Sequence, residues 1–271
     1  MGLPDMSYKL TLLGSGSSGG VPRLGNNWGA CDPANPRNRR RRCAALIERR
    51  AGRGCTTALI DTPPDLRDQL LDAGVGAVDG VVYTHDHADH THGIDDLRML
   101  AYNMKRRVDV HVDAATRISL TRRFGYCFAT PAGSSYPPIL NTYDIVPPNP
   151  VVIHGAGGPI ALQPVIQEHG DSASLGFRLG SVAYSPDVSG LSPESAAQLR
   201  NLDLWIVDAL RYIPHPAHFS VKQALAWIEE LKPRRAILTH LHVDLDYAKL
   251  ARELPEHVVP AFDGLQVNFD A

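Results

Sequence analysis

The segment YTHDHADHTHG, residues 83–93, contains four histidines and two aspartates between His85 and His92. The whole chain has 12 histidines, so this one stretch holds a third of them. Imidazole and carboxylate groups are costly to bury, yet here they directly follow the apolar run DGVVYTH (79–85). This concentration indicates that the segment serves chemistry rather than packing.

The spacing H-x-H-x-D-H at residues 85–90 is typical of a metal site. Side chains two residues apart in an extended segment point the same way, so His85 and His87 project together from the end of the strand. Imidazole nitrogen and carboxylate oxygen suit zinc where an open position for water is required. The predicted ligands are His85, His87, Asp89 and His90. The alternative is a polar loop with surface histidines, and we expect Asp86 and His92 to be exposed or to support the ligands.

Four ligands cannot complete two metal sites, so others must come from elsewhere in the chain. His169 follows PVIQE, Asp187 follows VAYSP and His240 follows RAILT. All three stand at the ends of apolar strands, where loops build sites on a sheet scaffold. Each alone is typical of a surface residue, but together with residues 85–90 they predict a larger ligand set. His242, two residues beyond His240, is the alternative for the last position.

Composition predicts a folded protein of a reducing compartment. The chain has 271 residues, of which 44% are hydrophobic and 21% are charged, which suits a full core. The net charge of −2 gives no drive toward nucleic acid or anionic membrane. The four cysteines form no C-x-x-C pair, and neither a signal-peptide pattern nor a membrane-length apolar run is visible. We expect a cytoplasmic protein without membrane contact or stable nucleic-acid binding.

Strands and helices alternate along the chain without an internal repeat or a linker. This pattern predicts a single domain over residues 1–271. Residues 124–150 are rich in Pro, Gly, Ser and aromatic residues and predict a long, lid-like loop. Within it we expect Tyr126 and Tyr136 to pack in the core or at the rim, with stacking on a base or ribose as the alternative.

Two conspicuous patterns have ordinary explanations. GSGSSG (14–19) matches the dinucleotide fingerprint, but Pro22 and further glycines follow it, so we predict a turn instead of the helix that the fingerprint requires. PRNRRRR (36–42) has five arginines in seven residues. It predicts a solvated basic loop, which could attract a phosphorylated substrate locally.

The chain resembles the metallo-β-lactamase-fold hydrolases. Residues 85–90 match the H-x-H-x-D-H signature of that superfamily, and Asp61, which closes TTALID, matches the acidic residue that usually precedes it. The likeness runs from LLGSGSSGGVP through RRRRCAALIE to ILTHLHVDLD and is nearest to the phosphoribosyl cyclic phosphodiesterases. It implies an α+β fold of four layers, αββα, with two mixed β-sheets flanked by helices.

The resemblance implies a dinuclear centre of two divalent ions, which we expect to be zinc, with manganese or iron as alternatives. By this likeness His85, His87 and His169 hold one ion, Asp89, His90 and His240 hold the other, and Asp187 bridges them. Asp61 would fix a ligand imidazole; its alternative is a turn residue before Pro63.

The segment PHPAHFS resembles the family segment whose histidine contacts the scissile phosphate. His218 precedes a helix that Ser220 caps with Gln223 in a capping box, and a helix N-terminus favours an anion. We therefore assign substrate binding to His218 and Ser220, and catalysis to His218, as a proton donor, and to Asp89. A local cap or an exposed histidine is the alternative for His218.

These features predict a dinuclear metal-dependent phosphodiesterase. Metal-bound hydroxide would attack a small cyclic phosphate of the ribose 1,2-cyclic phosphate or cyclic nucleotide type. The substrate would thus be a small phosphorylated sugar or nucleotide, and a homodimer is one alternative for the oligomeric state. Because the same hydroxide attacks carbonyls, a thioester or lactone hydrolase of this fold is an alternative function. A non-catalytic, metal-bearing carrier of cofactor biosynthesis is another.

Overall fold

The structure, a computed structural model, describes residues 6–270. Its strands are β1 (Met6–Gly14), β2 (Ala44–Ala51), β3 (Gly54–Ile60), β4 (Gly80–Val82), β5 (Val108–Val112), β6 (Leu140–Asp144), β7 (Val151–Ile153), β8 (Ile160–His169), β9 (Ser172–Leu179), β10 (Val182–Ser185), β11 (Leu204–Asp208), β12 (Arg235–Thr239), β13 (Val258–Pro260) and β14 (Leu265–Phe269). Its α-helices are α1 (Leu66–Asp72), α2 (Ala88–Thr91), α3 (Leu97–Met104), α4 (Ala114–Phe128), α5 (Pro193–Gln198), α6 (Val221–Leu231) and α7 (Tyr247–Glu253). Two 3-10 turns, Pro36–Asn38 and Ile94–Asp96, complete the regular elements of the described part.

The strands form two seven-stranded sheets. One has the order β14-β1-β2-β3-β4-β5-β6 and the other β13-β12-β11-β10-β9-β8-β7. Both sheets are mixed, because β2–β3 and β8–β9 pair antiparallel whereas β3–β4 and β10–β11 pair parallel. The predicted fold class, two mixed sheets flanked by helices, is confirmed.

Close contacts divide the chain into two compact units. Within the described residues, the first unit comprises 6–11, 44–161 and 266–270, and the second comprises 12–43 and 162–265. Each unit is described by itself below, and the single domain stays a prediction. No helix among residues 6–270 has both the length and the apolar character that crossing a bilayer requires.

Helix α6 shows how sequence signals set an element in the second unit. Ser220 caps it in a capping box with Gln223, as predicted. Ala224 and Ile228, one turn apart, are buried in a hydrophobic cluster that includes Trp205 of β11. The helix therefore packs one apolar face on the sheet, and this places the segment before Ser220 at the ends of the strands.

The prediction of a long loop over residues 124–150 is wrong in two places. Helix α4 extends to Phe128, with non-helical backbone at Phe124, and β6 adds a strand that pairs parallel with β5. Asp113 caps α4 by accepting hydrogen bonds from two backbone N–H groups. The helix that starts there continues through the aromatic residues 124–128, which the composition placed in a loop. The stretch between α4 and β6 and the stretch after β6, residues 145–150, remain irregular.

The basic run is solvated only in part. Arg37 and Arg39 are exposed, as predicted for a loop, but Arg40 is 2% exposed. Its guanidinium donates to the backbone oxygen of Leu245 at 2.8 Å and to that of His242 at 3.4 Å. Arg40 therefore fixes the loop to residues 242–245 of the same unit, a contact that composition alone does not predict.

The residues after β1 form a turn, as predicted. Gly16 donates its N–H to the oxygen of Arg41 at 2.8 Å, and a Cβ on Gly16 would lie 2.9 Å from that of Arg40. The glycine is required because two backbones approach closely there.

We expect Arg40→Ala to lower the free energy of unfolding by about 3 kcal/mol, because it leaves buried carbonyl oxygens without donors and removes a packed side chain. Arg39→Ala, one residue earlier and exposed, should change it by less than about 0.5 kcal/mol. Urea unfolding of both variants measures the difference. Equal midpoints for the two would show that Arg40 has no structural role.

Candidate metal centre

The loop after β4 gathers the ligands predicted in the first unit. His87 caps the short helix α2, which carries Asp89 and His90. The ring centroids of His85 and His87 are 4.5 Å apart, as are those of His85 and His90. His90 Nε2 lies 3.5 Å from a carboxylate oxygen of Asp89. Three imidazoles and one carboxylate therefore cluster within a single loop, and this donor chemistry fits a zinc-type ion.

Asp61 supports this loop from the end of β3. Its carboxylate accepts hydrogen bonds from His90 Nδ1 at 2.7 Å and from the backbone N–H and hydroxyl of Thr84, both at 2.8 Å. Thr84 Oγ1 in turn lies 3.0 Å from His85 Nδ1. Burial raises the pKa of Asp61, while His90 acts to lower it. A carboxylate that fixes Nδ1 leaves Nε2 for a metal, which is the role that the resemblance implies for Asp61.

The other two polar residues of the segment are engaged elsewhere. Asp86 pairs with Arg123 of α4 at 3.1 Å, and the ring of His92 packs on Phe124 at 5.2 Å. Gly93 closes the loop, since a Cβ there would lie 2.0 Å from the backbone oxygen of Pro63. The loop is thus anchored both to α4 and to the segment after Asp61.

The second unit brings together the three residues predicted at its strand ends. His169, Asp187 and His240 are at most 2% exposed. One carboxylate oxygen of Asp187 lies 3.7 Å from His169 Nε2 and 3.6 Å from His240 Nε2. His169 Nδ1 donates to the backbone oxygen of Ala217 at 2.6 Å, which orients its other nitrogen. Asp187 is therefore the central carboxylate of this cluster.

His218 lies within the same cluster. Its ring stacks on that of His240, with centroids 4.5 Å apart and 13° between the planes. Its Nδ1 donates to Asp208 at 2.7 Å and lies 3.8 Å from Asp187. His218 can therefore join either of two ligand groups, one with His169 and Asp187 and one with Asp208 and His240, whose donor atoms lie within 4.8 Å of one another.

Asp208 is a site residue that the sequence pattern did not single out. It ends β11, is fully buried, and also accepts the N–H of Val188 at 3.1 Å. The available signal was its place after the apolar run LWIV, the same signal that identified Asp187. Burying a carboxylate is costly unless it is paired. The contact with His218 provides that pairing for Asp208.

The structure distinguishes His240 from His242, the two alternatives for the last ligand position. His240 faces Asp187, whereas His242 contacts Arg23 and lies 2.9 Å from Asp244. Ser220, to which the sequence assigns substrate binding, is 1% exposed. Its hydroxyl both donates to and accepts from Gln223, so it is engaged in the cap of α6.

Two further histidines of the second unit have lowered pKa values. The pKa of His215 is lowered by burial and by nearby His218 and Arg211. The pKa of His242 is lowered by burial and by Arg23. Burial is the larger cause in both cases, and the guanidiniums of Arg211 and Arg23 add positive charge beside the cluster.

Comparisons with known proteins identify the family and the fold. The family model described as the beta-lactamase superfamily domain matches residues 56–241. A crystal structure of a diphosphatase from the PhnP family is 33% identical, covers 97% of this chain and 98% of its own, and superposes with a TM-score of 0.87. Zinc-bound PqqB from Methylobacterium extorquens is 15% identical with a TM-score of 0.67, over 96% and 99% of the two chains, and shares the fold.

A curated relative carries a different name. Octanoyltransferase of Porphyromonas gingivalis (strain ATCC BAA-308 / W83) is 32% identical over 264 residues, which are 96% of this chain and 51% of that protein. The chain thus spans about half the length of this relative. The family match extends over most of the chain and contains both the 85–90 loop and His240. The chain therefore belongs to the beta-lactamase superfamily and has the metallo-β-lactamase fold of metal-dependent hydrolases.

Proposed function

We propose that this protein is a dinuclear metal-dependent phosphodiesterase that hydrolyses a small cyclic phosphate of a sugar or nucleotide. The observation that carries the proposal is the placement of His218. It is held by Asp208, lies against the candidate ligands Asp187 and His240, and stands directly before the N-terminus of α6. A proton donor at an anion-favouring helix end suits a phosphate ester with a basic leaving oxygen.

The proposed ligand set is the one that the resemblance implies. It consists of His85, His87, Asp89, His90, His169, Asp187 and His240. Nitrogen and oxygen donors suit zinc, with manganese or iron(II) as alternatives. Bound divalent ions would supply Lewis acidity, which lowers the pKa of water and neutralises phosphoryl oxygens.

The chain's own residues provide the rest of the mechanism. Asp208 accepts the Nδ1–H of His218 and stabilises its imidazolium form, whose Nε2–H is the proton that the leaving alkoxide receives. Asp61 fixes His90 directly, and through Thr84 it supports His85. Arg23 and Arg211 add positive charge that attracts a phosphorylated substrate. The cytoplasm is the proposed compartment.

Two alternatives remain within this fold. Hydrolysis of a thioester or lactone would use the same ligands, and the name of the curated relative, octanoyltransferase, also points to acyl chemistry. Because the chain covers about half of that protein, the transferase activity could belong to the part that this chain does not match. A non-catalytic carrier would bind metal and turn over nothing.

A substrate panel separates these functions. We expect the zinc-loaded protein to turn over 2′,3′-cyclic AMP and bis(p-nitrophenyl) phosphate with kcat/KM at least about 100-fold above that for an octanoyl thioester or a lactone. The reverse order would replace the proposal with acyl hydrolysis. Inactivity on all substrates by metal-loaded protein would favour the carrier.

Metal content tests the ligand loop through a matched pair of variants. Asp89→Asn should lower the bound zinc from about two equivalents to about one, because an amide is a poorer ligand than a carboxylate. Asp86→Asn, in the same loop but paired with Arg123, should keep the wild-type content. Elemental analysis after dialysis measures both. Equal metal content in the two variants would remove Asp89 from the ligand set.

The role of His218 predicts a dependence on the leaving group. His218→Ala should lower kcat on 2′,3′-cyclic AMP, whose leaving group is an alkoxide, by about 100-fold or more. The loss on bis(p-nitrophenyl) phosphate should be much smaller, since nitrophenolate leaves without a proton. Asp208→Asn should show the same selectivity, because it disturbs the tautomer of His218.

The control for this experiment is His257→Ala, an exposed histidine of the same unit, which should leave both rates at the wild-type level. Metal content must be equal in all variants. Equal losses of His218→Ala on the two substrates would assign His218 to structure or metal binding instead of proton transfer.

A further inference from the structure

The first unit contains a cavity that the ligand loop does not use. It encloses about 370 Å³ and is lined by Arg98, Tyr102, Tyr126, Ser134, Tyr136 and two prolines. This volume lies within the range of small-molecule sites. Three of the nine tyrosines of the chain line this one cavity, which gives it a marked aromatic character.

The tyrosines are not core residues. Tyr102 is 55% exposed, Tyr126 is 43% exposed and Tyr136 is 69% exposed. Of the core or rim packing predicted for Tyr126 and Tyr136, the core alternative is excluded, and both side chains line the cavity. Large aromatic rings left in water at one place are typical of a binding site.

The cavity is connected to the metal-ligand loop through α4 and α3. Arg123 donates to the backbone oxygen of Asp86 at 2.7 Å, and Phe124 packs on His92. Tyr126 follows two residues later on the same helix. On the other wall, Arg98 and Tyr102 lie on α3, which follows the ligand loop directly in the chain. Both walls are therefore fixed to the segment that carries the ligands.

The charge of the cavity is close to neutral. Arg98 donates to Asp95 at 2.9 Å, so its positive charge is compensated. Burial and nearby acids raise the pKa of Tyr126 to about 12, which keeps its phenol neutral. A phosphate would find no uncompensated cation among these lining residues, whereas an uncharged planar ring would find aromatic faces together with the hydroxyls of Ser134 and the tyrosines.

We propose that this cavity binds the planar heteroaromatic group, a nucleobase, of the phosphodiester substrate. The inference rests on the proposed phosphodiesterase function and makes its substrate a nucleotide instead of a bare sugar phosphate. Stacking on aromatic side chains is tolerant of base identity, so the cavity selects for the presence of a base more than for its kind. The phosphate itself belongs to the ligand loop at residues 85–90, to which both walls of the cavity are fixed.

The test compares two substrates with the same leaving group. Bis(p-nitrophenyl) phosphate carries a second aromatic ring, and methyl p-nitrophenyl phosphate carries a methyl group there. Tyr136→Ala should lower the ratio of kcat/KM for the first over the second about tenfold, because one stacking face is lost. Tyr136 is strongly exposed, so the variant should fold normally, and Tyr136→Trp should restore the ratio.

A matched control and a binding measurement complete the design. Tyr143→Ala removes an exposed tyrosine of β6 in the same unit that does not line the cavity and should leave the ratio unchanged. Calorimetric titration of zinc-loaded protein with AMP and with ribose 5-phosphate should show tighter binding of AMP, and Tyr136→Ala should remove that preference. An unchanged ratio or an unchanged AMP preference in Tyr136→Ala would overturn the inference.

The two proposals fail in distinguishable ways. If the wild type hydrolyses no phosphodiester, the proposed function fails, and the AMP titration still decides whether the cavity binds a base. If the wild type hydrolyses both p-nitrophenyl substrates and Tyr136→Ala leaves either the ratio or the AMP preference unchanged, the function stands and the base site is rejected.

Discussion

The hydrogen bond that three imidazoles of the site make through Nδ1 is the constraint on which the site depends. His90 donates to Asp61, His169 to the backbone oxygen of Ala217 and His218 to Asp208, at 2.7, 2.6 and 2.7 Å. A neutral imidazole has one donor and one acceptor nitrogen. At His90 and His169, a donor fixed at Nδ1 makes Nε2 the nitrogen that can bind a metal, so the partners choose the tautomer before any metal binds. At His218 the same contact with a carboxylate stabilises the imidazolium form.

The arrangement also requires strained backbone at two residues of the site. Asp61 and His240 each adopt a left-handed conformation, with φ of 65° and 59°, which is uncommon for residues other than glycine. Both stand at the end of a β-strand, where the chain must turn sharply while the side chain stays at the sheet edge. Such strain persists only where the surrounding structure holds it in place; here the parallel pairing of β3 with β4 and of β11 with β12 does so.

The sequence predicted the parts of the site that repeat a local pattern. Period-two spacing in residues 85–90 and polar residues at strand ends are visible in one dimension, as is the capping box of α6. Asp208 was missed because a single acid after an apolar run also marks many ordinary turns, and its meaning depends on His218, ten residues away. The burial of Arg40 was missed for a related reason, since its acceptors lie more than 200 residues further along the chain.

The ligand set alone does not select between phosphorus and carbon as the centre of attack, so the decision rests on the residues around it. A thiolate leaves from a thioester as a weak base and needs no proton, so it gives no reason to keep His218 on a buried carboxylate. A lactone does release an alkoxide, but it carries no charge for Arg23 and Arg211 to attract. A cyclic phosphate has both a basic leaving oxygen and a negative charge. It is the substrate class for which both the Asp208–His218 pair and the surrounding cations have a use.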